Sequence, residues 1–298
     1  MKRRRRFLSP GIIIIFLLMA FMIIGAGQSY SAELSEVERI LGVAGQMQEG
    51  AMVFSFPRQD LKIKIGGDPV PIPLGFGSWT AWKEMGTEVM VMGDLVLLQK
   101  EINPVISTLA EANVNVTALH NHFLSERPRI MYMHIYGMGQ AAPIALGIRN
   151  ALSKTATPQP GPTAVRTSSP PLTLDTKRLE QIIGHPGKAI GGVFKIIIGR
   201  PGVKMDGIEM TASMGLNTWA AFTGTNERGH VAGDVAMTAK EVNPVIRALR
   251  RGGIEITAVH NHMLNEEPRI FFFHYWGTGP VEKLAETVRA AFNQAKGP

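Results

Sequence analysis

The chain contains no cysteine in 298 residues. That absence excludes disulfides, thiolate metal sites, cysteine nucleophiles and a lipid anchor on an N-terminal cysteine. Other marks are missing too. There is no Gly-x-Ser-x-Gly elbow, no paired-carboxylate constellation and no Gly-rich phosphate loop ending in Gly-Lys-Ser or Gly-Lys-Thr, so the commonest hydrolase and nucleotide-binding patterns are not present. Charge of one sign is also scarce. The formal charge is +7, but Lys2, Arg3, Arg4, Arg5 and Arg6 supply five of those positives, which leaves the remainder nearly balanced at +2. A nucleic-acid role needs a basic face, and this balance gives no reason to expect one.

What is present begins with a targeting segment, assigned to residues 1–32. The basic run is followed by an apolar stretch from Gly11 to Ile24 and by small and polar residues from Gly25 to Ala32. This order suits a signal peptide, and the apolar stretch is shorter than the ~20 residues of a comfortable membrane span. Cleavage after Ser31 leaves Ser29 and Ser31 at the small-residue positions. The expectation is an exported protein, periplasmic or extracytoplasmic; an uncleaved N-terminal anchor is the alternative. Arg4, Arg5, Arg6, Phe7 and Leu8 also resemble the twin-arginine export pattern, weakly. An exported chain without disulfides relies on core packing for stability, and this one is long enough for that.

The mature chain is an internal duplication. Thr117 to Ile130 and Thr257 to Ile270 are near-copies, 140 residues apart, and both contain Thr-Ala-x-His-Asn-His. The same offset relates Gly75 to Gly215, Trp79 to Trp219, Gly93-Asp94 to Gly233-Asp234, and Glu101–Ile106 to Glu241–Ile246. A constant offset over this length indicates two copies of a domain, since solenoid repeats have periods of ~20–50 residues. We place the copies at 33–152 and 174–298. The stretch 153–173 between them is rich in Pro, Ser and Thr and reads as an extended linker. It allows the copies to pack as an intramolecular pseudo-dimer or to be tethered loosely.

Each copy shows the same order of elements. Short strands are expected over 53–56, 61–65, 78–83 and 88–98, the last with a Gly-Asp interruption. A helix is expected over 101–112, where Pro104 falls in the first turn. A hairpin follows, with strands over 114–122 and 129–136 around a turn at 125–128. A closing helix covers 142–152, matched by 281–294. Strands first, then helix, hairpin and helix, predict an α+β fold with a mainly antiparallel sheet and helices on one face.

Six of the eight histidines sit in equivalent places. Residues two apart on a strand share a face, so His120 and His122 point the same way, ~7 Å apart at Cα. His134 joins them if the hairpin register pairs His122 with an even-numbered residue. Glu126, in the turn, can close the set. The second copy offers His260, His262, Glu266 and His274. Three neutral imidazoles and a carboxylate suit Zn or another divalent transition metal and do not suit Ca²⁺ or Mg²⁺. Glu126 and Glu266 are alternatively candidate general bases. The competing account is a structural network of buried histidines, completed by Asn121 and Arg129. The letters His-Asn-His do not indicate an HNH nuclease, whose metal finger and phosphate-binding surface are not supported here.

Several further residues are open to two interpretations. Asp94 and Asp234 are either turn acids, the preferred assignment, or carboxylates that orient an imidazole. Arg129 and Arg269 either bind an anion or, the preferred assignment, bridge to Glu126 and Glu266. His185-Pro-Gly-Lys188 and Lys195 occur in the second copy alone; the Gly-rich 184–192 stretch is expected to be a loop. Phe271, Phe272 and Phe273 suit a strand buried on both faces.

These motifs together, Gly-Asp-Leu-Val-Leu, Glu-x-Asn-Pro-Val-Ile, the His-Asn-His peptide with its Pro-Arg, and His-x-x-Gly, resemble the LppY/LpqO family of exported bacterial proteins. The resemblance spans essentially the whole mature chain. It implies tandem domains and export; the family's function is unknown, so it implies no reaction. Some relatives are lipoproteins, and this chain departs from them in having no cysteine to lipidate. Two functions are therefore carried forward. One is divalent transition-metal binding through a His-x-His…Glu…His cluster in each repeat, extending to metal-dependent hydrolysis in the cell envelope. The other is a non-catalytic envelope module that binds an unidentified ligand or protein, with structural histidines. Neither involves nucleic acid, and membrane contact is expected only through the N-terminal segment.

Overall fold

The computed structural model describes residues 31–158 and 172–295. Most of the targeting segment and most of the linker lie outside the described residues. Within the first repeat the elements are α1 (Ala32–Leu41), β1 (Gln46–Gln48), β2 (Ala51–Pro57), β3 (Ile63–Ile65), β4 (Asp68–Val70), β5 (Gly77–Met85), β6 (Glu88–Leu98), α2 (Ile102–Glu111), β7 (Asn115–His120), β8 (Glu126–Arg127), β9 (Ile130–Gly139) and α3 (Ala141–Leu152). The second repeat follows the same plan: α4 (Thr176–Ile183), β10 (Gly187–Ile190), β11 (Val193–Gly199), β12 (Lys204–Met205), β13 (Ile208–Glu209), β14 (Asn217–Gly224), β15 (Gly229–Met237), α5 (Ala239–Arg251), β16 (Glu255–His260), β17 (Glu266–Glu267), β18 (Phe271–Gly279) and α6 (Val281–Phe292).

Each repeat builds a six-stranded antiparallel sheet, in the orders β1-β2-β5-β6-β9-β7 and β10-β11-β14-β15-β18-β16. The fold is α+β, as the order of elements predicts. The central strands are buried on both faces; every residue of β15 is buried. Alternation explains how. Val231, Val235 and Met237 face the helices and pack with Val245, Leu249 and Val288. The intervening Ala232 and Ala236 face the other repeat. Ala236 shares a core with Ala81, Met90 and Met92, and Ala232 shares one with Val96 and Tyr132. The layers therefore run helices, sheet, sheet, helices, and the described residues of the two repeats make one compact unit.

Two small three-stranded sheets, β4-β3-β8 and β13-β12-β17, flank the main ones. They pair Ile65 with Glu126 and Met205 with Glu266. Buried ion pairs anchor the ends of β2 and β11. Arg58 reaches Glu101 at 2.8 Å and Asp60 at 2.9 Å, and Arg200 reaches Glu241 at 2.8 Å.

Eight elements lie outside the sequence expectation: α1, α4, β1 and β10, and the short strands β4, β8, β13 and β17 of the small sheets. Within the 184–192 stretch, expected to be a loop, Gly187–Ile190 is a strand, because Gly191 and Gly192 both take positive φ, 54° and 80°. They form the two-residue turn that pairs Ile190 with Val193. Ser31 caps α1 by accepting from Leu34 N at 3.2 Å, and Asp175 caps α4 by accepting from Arg178 N at 3.0 Å. The expected Gly-Asp interruption is also absent: the ladder runs unbroken through Thr80–Gly93 and Trp79–Asp94. Glycine is needed at 93 for close approach, since a Cβ there would lie 2.7 Å from Trp79 O. Among the described residues no helix is long and apolar enough to cross a membrane.

Candidate metal centre

The hairpin register decides where the histidines go. His120 pairs with Tyr132 and Ala118 with His134, with a bulge at Thr117. The second repeat repeats this with His260–Phe272 and Ala258–His274. His134 also sits beside Asp94 on β6, and His274 beside Asp234 on β15. Each histidine set thus lies on the sheet face turned toward the other repeat.

The consequence is one cluster, not two. His120 stacks on His260 with ring centroids 3.6 Å apart and His122 on His274 at 3.6 Å, while His134 meets His262 at 3.8 Å with the rings tilted by 31°. These contacts are reciprocal in the manner of a two-fold interface, where residue i meets j and j meets i. The backbone is tied in the same way. Thr117 Oγ1 donates to His262 O at 2.6 Å and Thr257 Oγ1 donates to His122 O at 2.5 Å. Asn121 Nδ2 donates to Thr257 O, and Asn261 Nδ2 donates to Thr117 O, both at 2.9 Å.

Two overlapping triads each bring three ring nitrogens together: His120, His260 and His274, and His134, His260 and His262. Within each, the nitrogens lie within 4.8 Å of one another. Three such atoms sit no more than about 2.8 Å from a shared centre, against ~2.0–2.1 Å for a Zn–N bond. The expectation of a separate centre in each repeat is corrected: both triads draw on both repeats, because the histidine faces meet at the boundary.

The proton positions follow from the partners. His120, His260, His262 and His274 each place Nδ1 against a backbone carbonyl, at 3.1–3.3 Å. A carbonyl only accepts, so Nδ1 carries the hydrogen and Nε2 keeps its lone pair. The Nε2 atoms of these four rings and of His134 are buried without a hydrogen-bond partner among the described residues. A second-sphere carbonyl on one nitrogen with the other free is the usual arrangement of a metal-binding imidazole. Asp234 Oδ2 faces His262 Nε2 at 3.3 Å and Asp94 Oδ2 faces His122 Nε2 at 4.0 Å. Two electron-pair donors facing each other call for a proton or a cation between them.

Burial keeps His120, His122, His134, His260 and His274 neutral. It pulls His120, His122, His134 and His260 well below the usual imidazole range, reinforced by neighbouring histidines. His274 is pulled down to about 4 by burial, against the opposing charge of Asp234. Asp94 is pushed up to about 8, first by burial and then by Asp234. Lys195 lies 4.0 Å over the Trp219 ring, and burial brings its ammonium down to about 8 against the pull of Asp234 and Asp94.

Glu126 and Glu266 lie apart from the triads. Glu126 accepts from Ile130 N at 3.3 Å and bridges to Arg129 at 3.2 Å; Glu266 accepts from Ile270 N at 3.1 Å and bridges to Arg269 at 3.2 Å. The small sheets hold them there, so the carboxylates beside the rings are Asp94 and Asp234. The preference for turn acids at 94 and 234 fails, because both are mid-strand. Their recurrence one strand away from the His134 and His274 positions was the available signal. Lys195 was hidden by a two-residue length difference. Its structural counterpart is Val53, since Lys195 pairs with Ala221 as Val53 pairs with Ala81.

Comparison with known proteins gives little chemistry. No curated protein matches the chain. Among solved structures, a trimeric bacterial microcompartment shell protein PduB is 14% identical over 84% of this chain and 89% of its own, at a TM-score of 0.22. EtuB from Clostridium kluyveri is 8% identical over 84% and 89%, at 0.20. The double-ringed trimeric shell protein MSM0271 from the RMM microcompartment is 12% identical over 72% and 85%, also at 0.20. Scores this low carry no argument about fold or function. The family model for a Domain of Unknown Function (DUF1259) matches residues 35–154 and again 177–294, and the chain belongs to that family with two copies of its domain.

Proposed function

We propose that this is an exported protein that binds a divalent transition metal in a histidine site shared between its two repeats. The observation that carries this is the set of buried Nε2 lone pairs, contributed by both repeats and each left free by a carbonyl on Nδ1. An all-imidazole set with nearby carboxylates suits Zn²⁺, Cu²⁺, Ni²⁺, Fe²⁺ or Mn²⁺. His260 belongs to both triads and has one free nitrogen, so the triads compete and the molecule holds one ion at a time. The two repeats act as an intramolecular pseudo-dimer in which neither holds a complete triad. The LppY/LpqO resemblance and the N-terminal segment support export and a periplasmic or extracytoplasmic setting. If the site also hydrolyses an envelope substrate, the base is Asp234, 3.3 Å from His262 Nε2, because burial keeps a proton on Asp94 up to about 8.

A second account keeps the histidines structural, in a non-catalytic module for an envelope ligand. The paired stacking of rings, including His122 on Tyr132 at 3.2 Å and His262 on Phe272 at 3.4 Å, favours it. The two accounts separate on one experiment. Chelator-stripped protein is melted with increasing Zn²⁺, Mn²⁺ or Cu²⁺. Binding to the native state raises Tm with concentration, reversibly with chelator. No rise with any of these ions removes the metal-binding account.

A further inference from the structure

One position breaks the two-fold symmetry of the histidine cluster. Each sheet carries a row of three residues on adjacent strands. The row is Trp79, Asp94 and His134 in the first repeat, and Trp219, Asp234 and His274 in the second. The residue at the head of the row differs. In the first repeat it is Val53; in the second it is Lys195. The Lys195 ammonium lies 4.0 Å over the Trp219 ring, and that ring lies 6.3 Å from the His274 ring, centroid to centroid. A cation therefore sits within roughly 10 Å of a candidate metal ligand, where charges inside a protein still interact strongly.

Nothing neutralises that cation at close range. Lys195 is half-buried and has no hydrogen-bond or ion-pair partner among the described residues. Asp234 and Asp94 act on it through charge alone, and burial brings it down only to about 8, so it stays largely charged at pH 7. Lys188, directly across from it on β10, is exposed instead. The first repeat has the neutral pair Gln46 and Val53 at these two places.

We propose that Lys195 sets the metal affinity of the shared histidine site, holding it below what the ligands alone would give. The inference rests on the metal-binding reading of the cluster. Three neutral imidazoles bring no negative charge to a divalent ion, and a fixed positive charge near a buried site is felt with little screening. The same ammonium favours the empty state, where it offsets the charge of Asp234. Both effects act in one direction, against loading.

The test gives Lys195 the residue that the first repeat carries there. Zn²⁺ affinity is measured by competition with a chelating dye for the full mature chain and for Lys195→Val, Lys195→Met, Lys195→Arg and Lys188→Val, each checked for folding by its melt in chelator. Lys195→Val and the longer neutral Lys195→Met should bind at least about tenfold more tightly, as removal of a unit charge roughly 10 Å from a divalent ion implies. Lys195→Arg keeps the charge and should stay within about twofold of the native chain. Lys188→Val removes the same net charge from an exposed place, where salt screens it, and should also stay within about twofold. Unchanged or weaker binding in a folded neutral Lys195 variant overturns the proposal. So does an equal gain in Lys188→Val or Lys195→Arg. If the native chain binds no Zn²⁺, the metal-binding reading itself falls and takes the proposal with it.

Discussion

His120 and His260, equivalent residues of the two repeats, stack ring on ring with planes 14° from parallel. They mark the centre of the cluster, but they are not equal in it, because His260 enters both triads and His120 only one. His260→Ala should therefore cost the most metal affinity. Even an outer-shell partner of a metal ligand is worth ~10–100-fold, so the expected loss exceeds about 100-fold. His134→Ala leaves the other triad whole and should cost less than about tenfold by the same comparison. Competition against a chelating dye measures both; equal losses would contradict the overlapping-triad geometry.

The pH dependence of stability in chelator has a defined sign. His120, His122, His134, His260 and His274 all bind protons less readily when folded. Between about 4 and the ordinary 6.5 for His274, the unfolded chain holds the proton and the folded chain does not, so stability rises with pH. That group alone contributes on the order of 3 kcal/mol. Asp94 works the other way: its folded carboxyl keeps a proton up to about 8 against an ordinary 3.8, so its contribution falls as pH rises across that window. Five imidazoles outweigh one carboxyl below 6.5. Denaturant midpoints should climb from pH 4.5 to 6.5 and then fall toward 8, where the Asp94 contribution is unopposed. A flat profile below 6.5 would show that the rings are not buried as described.

The reciprocal threonine bonds predict matched losses. Thr117→Val and Thr257→Val each remove a buried donor from a carbonyl of the other repeat. Each should cost ~1–3 kcal/mol, the penalty for leaving a buried acceptor unsatisfied. The two values should agree closely because the contacts are mirrored. Urea unfolding tests this, and a loss confined to one variant would show that the reciprocity is not energetic.

Arg58 is fully buried among Asp60, Glu101 and Val96 O. Arg58→Met strands two carboxylates and should destabilise the fold by ~3–5 kcal/mol. Adding Glu101→Gln should restore part of that. No loss in the single variant would mean that the pairs are relieved by water.

The fold was legible where periodicity is strong. The strands of the hairpin, the Pro104 helix and the Phe272–Phe273 strand follow from alternation and from proline in a first turn. The short edges and the α1 and α4 helices were not, because each depends on one cap or one Gly-Gly turn. For the candidate site, parity on the strand placed His120, His122 and His134 on one face. What the strand pattern could not show is that this face meets its copy. Intramolecular packing of repeats leaves no local trace, so the grouping of His260 with His120 and His274 became visible only in three dimensions. Glu126 misled because its turn position was near in sequence, while the small sheet it belongs to depends on Ile65, some sixty residues earlier.

The central claim is one ion shared by two repeats, and metal stoichiometry tests it most directly. Equilibrium dialysis of the untagged mature chain against a transition metal, beside His260→Ala, is the measurement. One equivalent in the native chain and none in the variant is the predicted result. Two equivalents, or one retained in a folded His260→Ala, would contradict a shared site.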